Sequence, residues 1–313
     1  MEQIAEIKIL SVNISIEKGT IKKPVDEITF TNKGIEGDAH SGNWHRQVSM
    51  LATESIERFE KVMGRKLEPG EFAENITSKG LEIKDCLPLD RFVGCHVELE
   101  VTQIGKKCHG SNCSIYNETG NCVMPKEGIF LRVTRTGALK KGDNMIFQPK
   151  VFKFYVITLS DRASAGEYDD LSGPRITELL KTHFEEKKRR VKISNHIIAD
   201  NKEELNKHIQ KAVHEKYDGI ITTGGTGIGP RDITVETVQP MLEKEIPGIM
   251  EQIRMKYGAE KPNALLSRGV AGTISNSIVY TLPGSVKAVN EYMAEILKTF
   301  EHLVYMVHGL DTH

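Results

Sequence analysis

Residues 220–234, IITTGGTGIGPRDIT, set glycines at 224, 225, 227 and 229 among Thr222, Thr223 and Thr226, directly after an apolar run and beside an Arg231-Asp232 pair. Glycine lets backbone N–H groups converge on an anion, and neighbouring hydroxyls add donors, so a phosphate is the ligand this loop suits. The spacing fits neither G-x-G-x-x-G nor G-x-x-x-x-G-K-[ST], which argues against a dinucleotide fold and a P-loop NTPase. Asp232 extends the reading, because a carboxylate beside a phosphate cradle repels its ligand unless a cation stands between them. Mg²⁺ is the expected cation, held by one or two carboxylates together with phosphate oxygens. Asp200 closes the run IIAD and Asp161 lies in LSDR, so both follow apolar runs. Each alone is most often a helix N-cap, but three strand ends each supplying an Asp exceed what turns require.

A second group of reactive side chains lies earlier, in GIEGDAHSGNWHRQVSML and GKKCHGSNCSIYNETGNCVMPKEGIFLRV, which carry His40, His45, Cys108, His109, Cys113 and Cys122. A zinc reading is weak, since there is no C-x-x-C pair and C-x₄-C-x₈-C matches no common structural zinc spacing. Ordinary buried thiols are the plain alternative. In the third reading a loop thiol, Cys108 rather than Cys113, is activated by Lys106, Lys107 and His109 and ligates a soft metal centre.

Two kinds of scaffold must position these groups. Up to residue 149 the chain shows short β-like runs separated by turns; in HVELEVTQI, Val97, Leu99 and Val101 alternate with Glu98, Glu100 and Thr102, as on a strand with one wet face. One helix is expected at TESIERFEKVM, capped by Thr53. This half, residues 1–149, reads as a mostly-β barrel or sandwich. From 151 to 313, β runs alternate with helical ones, which predicts an α/β three-layer domain with a mainly parallel sheet and its ligand at the strands' carboxyl ends. Pro174 falls in the first turn of one helix, and apolar residues from Val289 to Val307 mark a long amphipathic one. The charge run EEKKRRVK between the first helix and the second strand reads as a solvated loop.

The 313 residues suffice for about two domains, and 42 Lys plus Arg against 43 Asp plus Glu give no bulk attraction to nucleic acid or an acidic membrane. The start MEQIAEIKIL lacks the pattern of an export signal, and five cysteines are an odd number, so reduced thiols and a cytoplasmic location are expected.

From about residue 153 to 308, ITLSDRASAGEYDDLSGPRI, IIADNKEEL, DGIITTGGTGIGPRDITVETVQPMLEKEIPGIMEQIR, ALLSRGVAG and IVYTLPGSVKAV resemble the molybdopterin adenylyltransferases of the MogA type and their MoaB relatives. The resemblance implies transfer of AMP from Mg·ATP to molybdopterin with release of pyrophosphate. It implies Asp200 and Asp232 as the essential carboxylates and metal ligands, and Thr223, Gly224, Gly225, Thr226 and Gly227 as the phosphate loop. Ser160, Asp161 and Arg162 match the first-strand motif, and Ser267, Arg268, Pro283, Gly284 and Ser285 match further pocket motifs. Arg231 or Arg268 is then placed to neutralise pyrophosphate, or else sits in a surface ion pair. A trimer, or a multiple of one, is implied as well.

Residues 5–148 resemble the MOSC domain family through GIEGDAH, HRQVSML, GEFAENITSKGL, LDRFVGCHVELEVTQIG, GNCVMPKEGIF and LKKGD. That implies a barrel-like fold that binds or delivers molybdenum cofactor or sulfur through Cys108 or Cys113. The leading expectation is therefore a bifunctional protein of molybdenum cofactor biosynthesis. A non-catalytic carrier of molybdopterin is the alternative from another class, and the molybdate-insertion step is a third.

Overall fold

The computed structural model describes residues 5–106 and 114–310 and divides the chain into two compact units, the second being Val151–Gly309 and the first the remainder. Cys108 and Cys113 lie outside the described residues.

The first unit is built from β1 (Ala5–Ile14), β2 (Lys23–Val25), β3 (Glu27–Thr31), β4 (Gly34–Ile35), β5 (Val48–Ala52), α1 (Thr53–Met63), β6 (Ile76–Lys79), β7 (Arg91–Val93) and β8 (Glu98–Ile104). It continues with α2 (Ser114–Thr119), α3 (Met124–Glu127), β9 (Ile129–Arg135), β10 (Gly137–Lys140) and β11 (Asn144–Gln148). Strands run in the order β11-β7-β8-β9-β5-β6-β1, and a further β11–β1 pairing closes them into a 7-strand barrel. Closure leaves no unpaired edge among these strands. Ile7, Ile9, Val48, Met50, Leu99, Val101, Leu131 and Met145 pack its interior.

Two expectations fail here for stated reasons. Thr53 does not cap α1, which has Ala52 at its N-cap position; the Thr53 hydroxyl donates instead to the Ser78 carbonyl at 2.9 Å. Nor is the polar side of β8 wet. Glu100 and Thr102 are buried, because Arg91 and Arg132 hold the Glu100 carboxylate at 3.1 and 2.6 Å while Thr102 Oγ1 donates to the carbonyls of His45 and Phe130. Fully paired polar groups bury at little cost, so alternation alone misjudged that face.

Glu74 is a different case. Its Oε1 accepts from Gly70 N–H at 2.6 Å and Thr77 Oγ1 at 2.8 Å, whereas Oε2 has no partner among the described residues. Burial pushes its pKa up to about 6. Between the ordinary value of 4.5 and 6 the folded chain holds a proton that the unfolded chain has lost, so this group's contribution to stability falls as pH rises through that window. Glu74→Gln keeps an acceptor for both donors and removes the buried charge. At pH 7 it is expected to stabilise the barrel by about 2 kcal/mol, an advantage that vanishes near pH 4; denaturant melts at the two pH values check both parts.

The second unit contains β12 (Val151–Leu159), α4 (Asp161–Ser164), α5 (Ser172–Glu186), β13 (Arg190–Ile198), α6 (Lys202–His214), β14 (Gly219–Thr223) and α7 (Thr234–Val238). After these come β15 (Lys244–Glu245), α8 (Pro247–Gly258), β16 (Ala271–Ile274), β17 (Ser277–Leu282) and α9 (Val286–Val307). The sheet order is β13-β12-β14-β17-β16-β15. β13, β12, β14 and β17 pair in parallel, while β16 and β15 add an antiparallel edge, so the sheet is mixed.

Helices cover both faces, as the alternation along β12 requires. Phe152 and Phe154 meet Phe184 of α5 and Phe300 of α9, and Tyr155, Ile157 and Leu159 face the other way toward Leu205 and Ile209 of α6 and Val238 of α7. Pro174 sits in the first turn of α5, where Asp170 accepts from the N–H groups of Ser172 and Gly173. The charge run after it is not all solvated. Arg189 is buried, its guanidinium over the Phe152 ring and bonded to Glu301 at 3.3 Å and to the Tyr305 hydroxyl at 2.5 Å.

Candidate functional site

Three segments meet at the carboxyl edge of β12, β13 and β14. β12 hands over to α4 through Ser160, whose hydroxyl caps that helix by accepting from Ala163 N–H at 3.2 Å. β13 leads to Asp200, and β14 to the glycine loop. Asp161 and Asp200 are locked together: Asp161 Oδ1 accepts from Asp200 N–H at 2.9 Å, and Asp200 Oδ2 from Asp161 N–H at 3.3 Å. Arg231 neutralises Asp161 at 2.9 Å. Neither Asp200 nor Asp232 has an ion-pair partner among the described residues. Burial pushes the Asp200 carboxyl above the ordinary range, a backbone bond from Asp161 opposes this, and the Asp161 and Asp232 charges reinforce it.

Asp232 is not at a strand end; it lies in the loop between β14 and α7, and its Oδ2 accepts from Gly229 N–H at 2.7 Å. Ser160, Asp161, Arg162, Asp200, Gly225, Gly229, Arg231 and Asp232 line one polar cleft of about 330 Å³. No three His, Cys, Asp or Glu side chains among the described residues group as a complete metal site. The set suits a hard divalent cation that takes its other ligands from phosphate and water, because Asp200 and Asp232, which form no ion pair among the described residues, offer it oxygens, while Arg162 and Arg231 in the same lining suit the phosphate.

The loop holds its shape through positive-φ conformations that favour glycine. Gly224 has φ +103° and Gly225 φ +64°, and a Cβ at Gly224 would collide with the Leu159 carbonyl oxygen. Thr234 fixes both residues, its Oγ1 donating to Gly224 O at 2.8 Å and its N–H to Gly225 O at 3.0 Å. Thr223 Oγ1 donates to Pro283 O at 3.0 Å, tying the loop to the turn after β17. Among the described residues the N–H groups of Gly225, Thr226, Gly227 and Ile228 have no acceptor in the protein. Four free donors in succession form a nest for an anion.

A second cleft of about 410 Å³ shares Gly225 and Asp232 with the first. Its walls include Tyr257, Tyr292, Leu266 and Ala288, and Lys261, Lys287 and Glu291 also line it. Ser267, Pro283, Gly284 and Ser285 line it too: Ser285 caps α9, and Ser267 accepts from the Tyr292 hydroxyl at 2.8 Å. Lys261, Lys287 and the two tyrosines were missed in the sequence, where nothing marks them apart from other surface residues. Arg268 lines neither cleft. Its guanidinium is spent on Gly227 O and Glu236, so it does not face a leaving pyrophosphate.

In the first unit a separate cavity of about 420 Å³ is lined by Lys18, His40, Trp44, Arg46, Ser49, Phe72, Asn75, Lys106, Met124 and Phe130. The described residues that line it include cations and no carboxylate. Arg46 lies over the Trp44 ring, and its Nε is buried without a hydrogen-bond partner among the described residues. Nearby, buried Lys22 pairs with Asp38. Burial raises the Asp38 carboxyl, but hydrogen bonds from His40 and Lys22 outweigh it and hold the group well below the usual carboxylate range.

Comparison with known proteins agrees with both halves. A model described as "Probable molybdopterin binding domain" matches residues 155–302, and a MOSC domain model matches residues 37–146. The molybdopterin adenylyltransferase of Pyrococcus furiosus is 40% identical over 160 residues, covering 48% of this chain and 88% of that protein. The Helicobacter pylori enzyme of the same name is 35% identical over 155 residues, covering 49% and 86%. Gephyrin of Dictyostelium discoideum is 35% identical over 160 residues, 49% of this chain but 22% of gephyrin's length. Among solved structures, the tungsten cofactor synthesizing protein MoaB from Pyrococcus furiosus is 36% identical over 51% of this chain and 98% of its own, with a TM-score of 0.46.

Proposed function

We propose, since the chain belongs through residues 155–302 to the molybdopterin binding domain family and carries a MOSC domain before it, that it is a molybdopterin adenylyltransferase. The observation that supports this most is the run of four unpaired N–H donors beside two unneutralised carboxylates. A terminal phosphate oxygen of molybdopterin attacks the α-phosphorus of ATP, the bond from that phosphorus to the bridging oxygen breaks, and pyrophosphate departs with the electron pair. No proton need be removed from the attacking phosphate, which is already ionised, so a general base is not required.

Residues 225–228 hold a phosphate, and the apolar cleft beside Tyr257 and Tyr292 holds a flat ring. Asp232 and Asp200 would hold Mg²⁺, which when bound neutralises charge on the phosphates. Asp161, paired with Arg231, positions Asp200 through the two backbone bonds. No helix among the described residues is long and apolar enough to cross a membrane.

For the first unit we read the cationic cavity as the place where molybdenum cofactor is bound or delivered; Cys108 and Cys113, the thiols the sequence offers for that role, lie outside the described residues. Incubating the chain with α-labelled ATP, Mg²⁺ and molybdopterin tests the catalytic reading. Equal amounts of adenylylated pterin and pyrophosphate are expected, whereas pyrophosphate at background with pterin still bound would make the chain a carrier.

A further inference from the structure

Arg268 does not line the apolar cleft; it lines a separate hollow with Arg254 and Val270. Its backbone N–H donates to Thr226 O at 3.2 Å. Its Nε and Nη2 both donate to Gly227 O, at 2.8 and 2.5 Å. Glu236, in α7, holds the far end of the guanidinium through Nη1 and Nη2. One residue thus fixes two successive carbonyls of the loop.

In a planar trans peptide the C=O of one residue and the N–H of the next point in opposite directions. With Thr226 O and Gly227 O both drawn toward Arg268, the N–H groups of Gly227 and Ile228 are turned away from it. These are two of the four donors without a partner among the described residues. Glycine at 227 leaves that peptide free to flip, so something must choose its orientation. Side-chain contacts of an exposed ion pair alone would contribute little, but a guanidinium fork on a carbonyl is charge-assisted and directional.

We propose that Arg268, braced by Glu236, is a positioning residue that sets the peptide orientation of the phosphate loop and so preforms its anion nest. It acts through Thr226 and Gly227 and does not itself touch the phosphate. The inference rests on the adenylyltransferase reading only for its kinetic consequence; the nest itself is testable with pyrophosphate alone.

The experiment measures pyrophosphate binding to the full chain by calorimetry, with the amide chemical shifts of residues 226–228 by NMR and AMP transfer on the same samples. Arg268→Lys keeps the charge but cannot form the fork. It is expected to weaken pyrophosphate binding about tenfold or more and to shift the Gly227 and Ile228 amide resonances, with an unchanged melting temperature. Glu236→Gln, which keeps a neutral brace, should lie between Arg268→Lys and the wild type. If Arg268→Lys binds pyrophosphate as the wild type does, or loses binding while the amide shifts of 226–228 stay native, the positioning role is wrong. A wild-type chain that binds pyrophosphate but transfers no AMP overturns the adenylyltransferase reading and leaves this one standing. Should Arg268→Lys fail to fold, Glu236→Gln decides: wild-type affinity and amide shifts would overturn the proposal.

Discussion

Asp232→Asn is expected to lower AMP transfer by about two to three orders of magnitude without disturbing the loop. Asparagine matches aspartate in shape, and its amide oxygen can still accept the Gly229 N–H that Asp232 Oδ2 accepts at 2.7 Å. The change therefore removes charge and little else. Charge is what matters at this position. Asp161 already has Arg231 at 2.9 Å, whereas Asp232 and Asp200 form no ion pair among the described residues. Removing the Asp232 charge should also relax Asp200, whose carboxyl is raised in part by that neighbour. Single-turnover transfer with saturating Mg·ATP gives the rate, and Mn²⁺ binding followed by electron paramagnetic resonance gives the metal affinity independently of activity. Both should fall together. Normal turnover with ATP still bound would remove Asp232 from the metal site.

Features set by backbone geometry were the most legible in the sequence. The glycine loop announced itself because no other residue tolerates Gly224 at φ +103° with its back against Leu159. The change of period after residue 149 likewise reflects two packing schemes, a closed barrel and a covered sheet. Legibility failed where a polar side chain is buried by partners distant in sequence. Glu100 needs Arg132, and Arg189 needs Glu301 and Tyr305; neither pairing leaves a local trace. The same holds for the second cleft, assembled from α8, the segment after it and α9. Arg268 reads in the sequence as a pocket residue, yet only the fold shows that it lines a hollow apart from both clefts. Ser160 and Ser285 read in the sequence as site residues; in the fold each caps a helix and lines a cleft, and spacing does not distinguish a cap from a site residue.

Gly224→Ala is expected to be the most damaging single methyl in the second unit, costing about 3 kcal/mol or more and abolishing phosphate binding. At φ +103° the residue lies outside the region that an L side chain enters even with strain. The added carbon would overlap the carbonyl oxygen of Leu159, the last residue of a central strand, which cannot move without breaking the sheet. The loop must yield instead. Yielding breaks the bond from Gly224 N–H to Leu282 O at 2.9 Å and the one from Thr234 Oγ1 to Gly224 O at 2.8 Å, and it carries the donors at 225–228 out of register. Gly248→Ala, in the first turn of α8 with nothing within 4 Å of its Cβ, controls for the loss of glycine flexibility and should be neutral or mildly stabilising. Denaturant melts and pyrophosphate calorimetry on both variants provide the comparison. A Gly224→Ala chain with native stability and native affinity would mean that the loop is free to take another shape, and the nest would then owe nothing to its glycines.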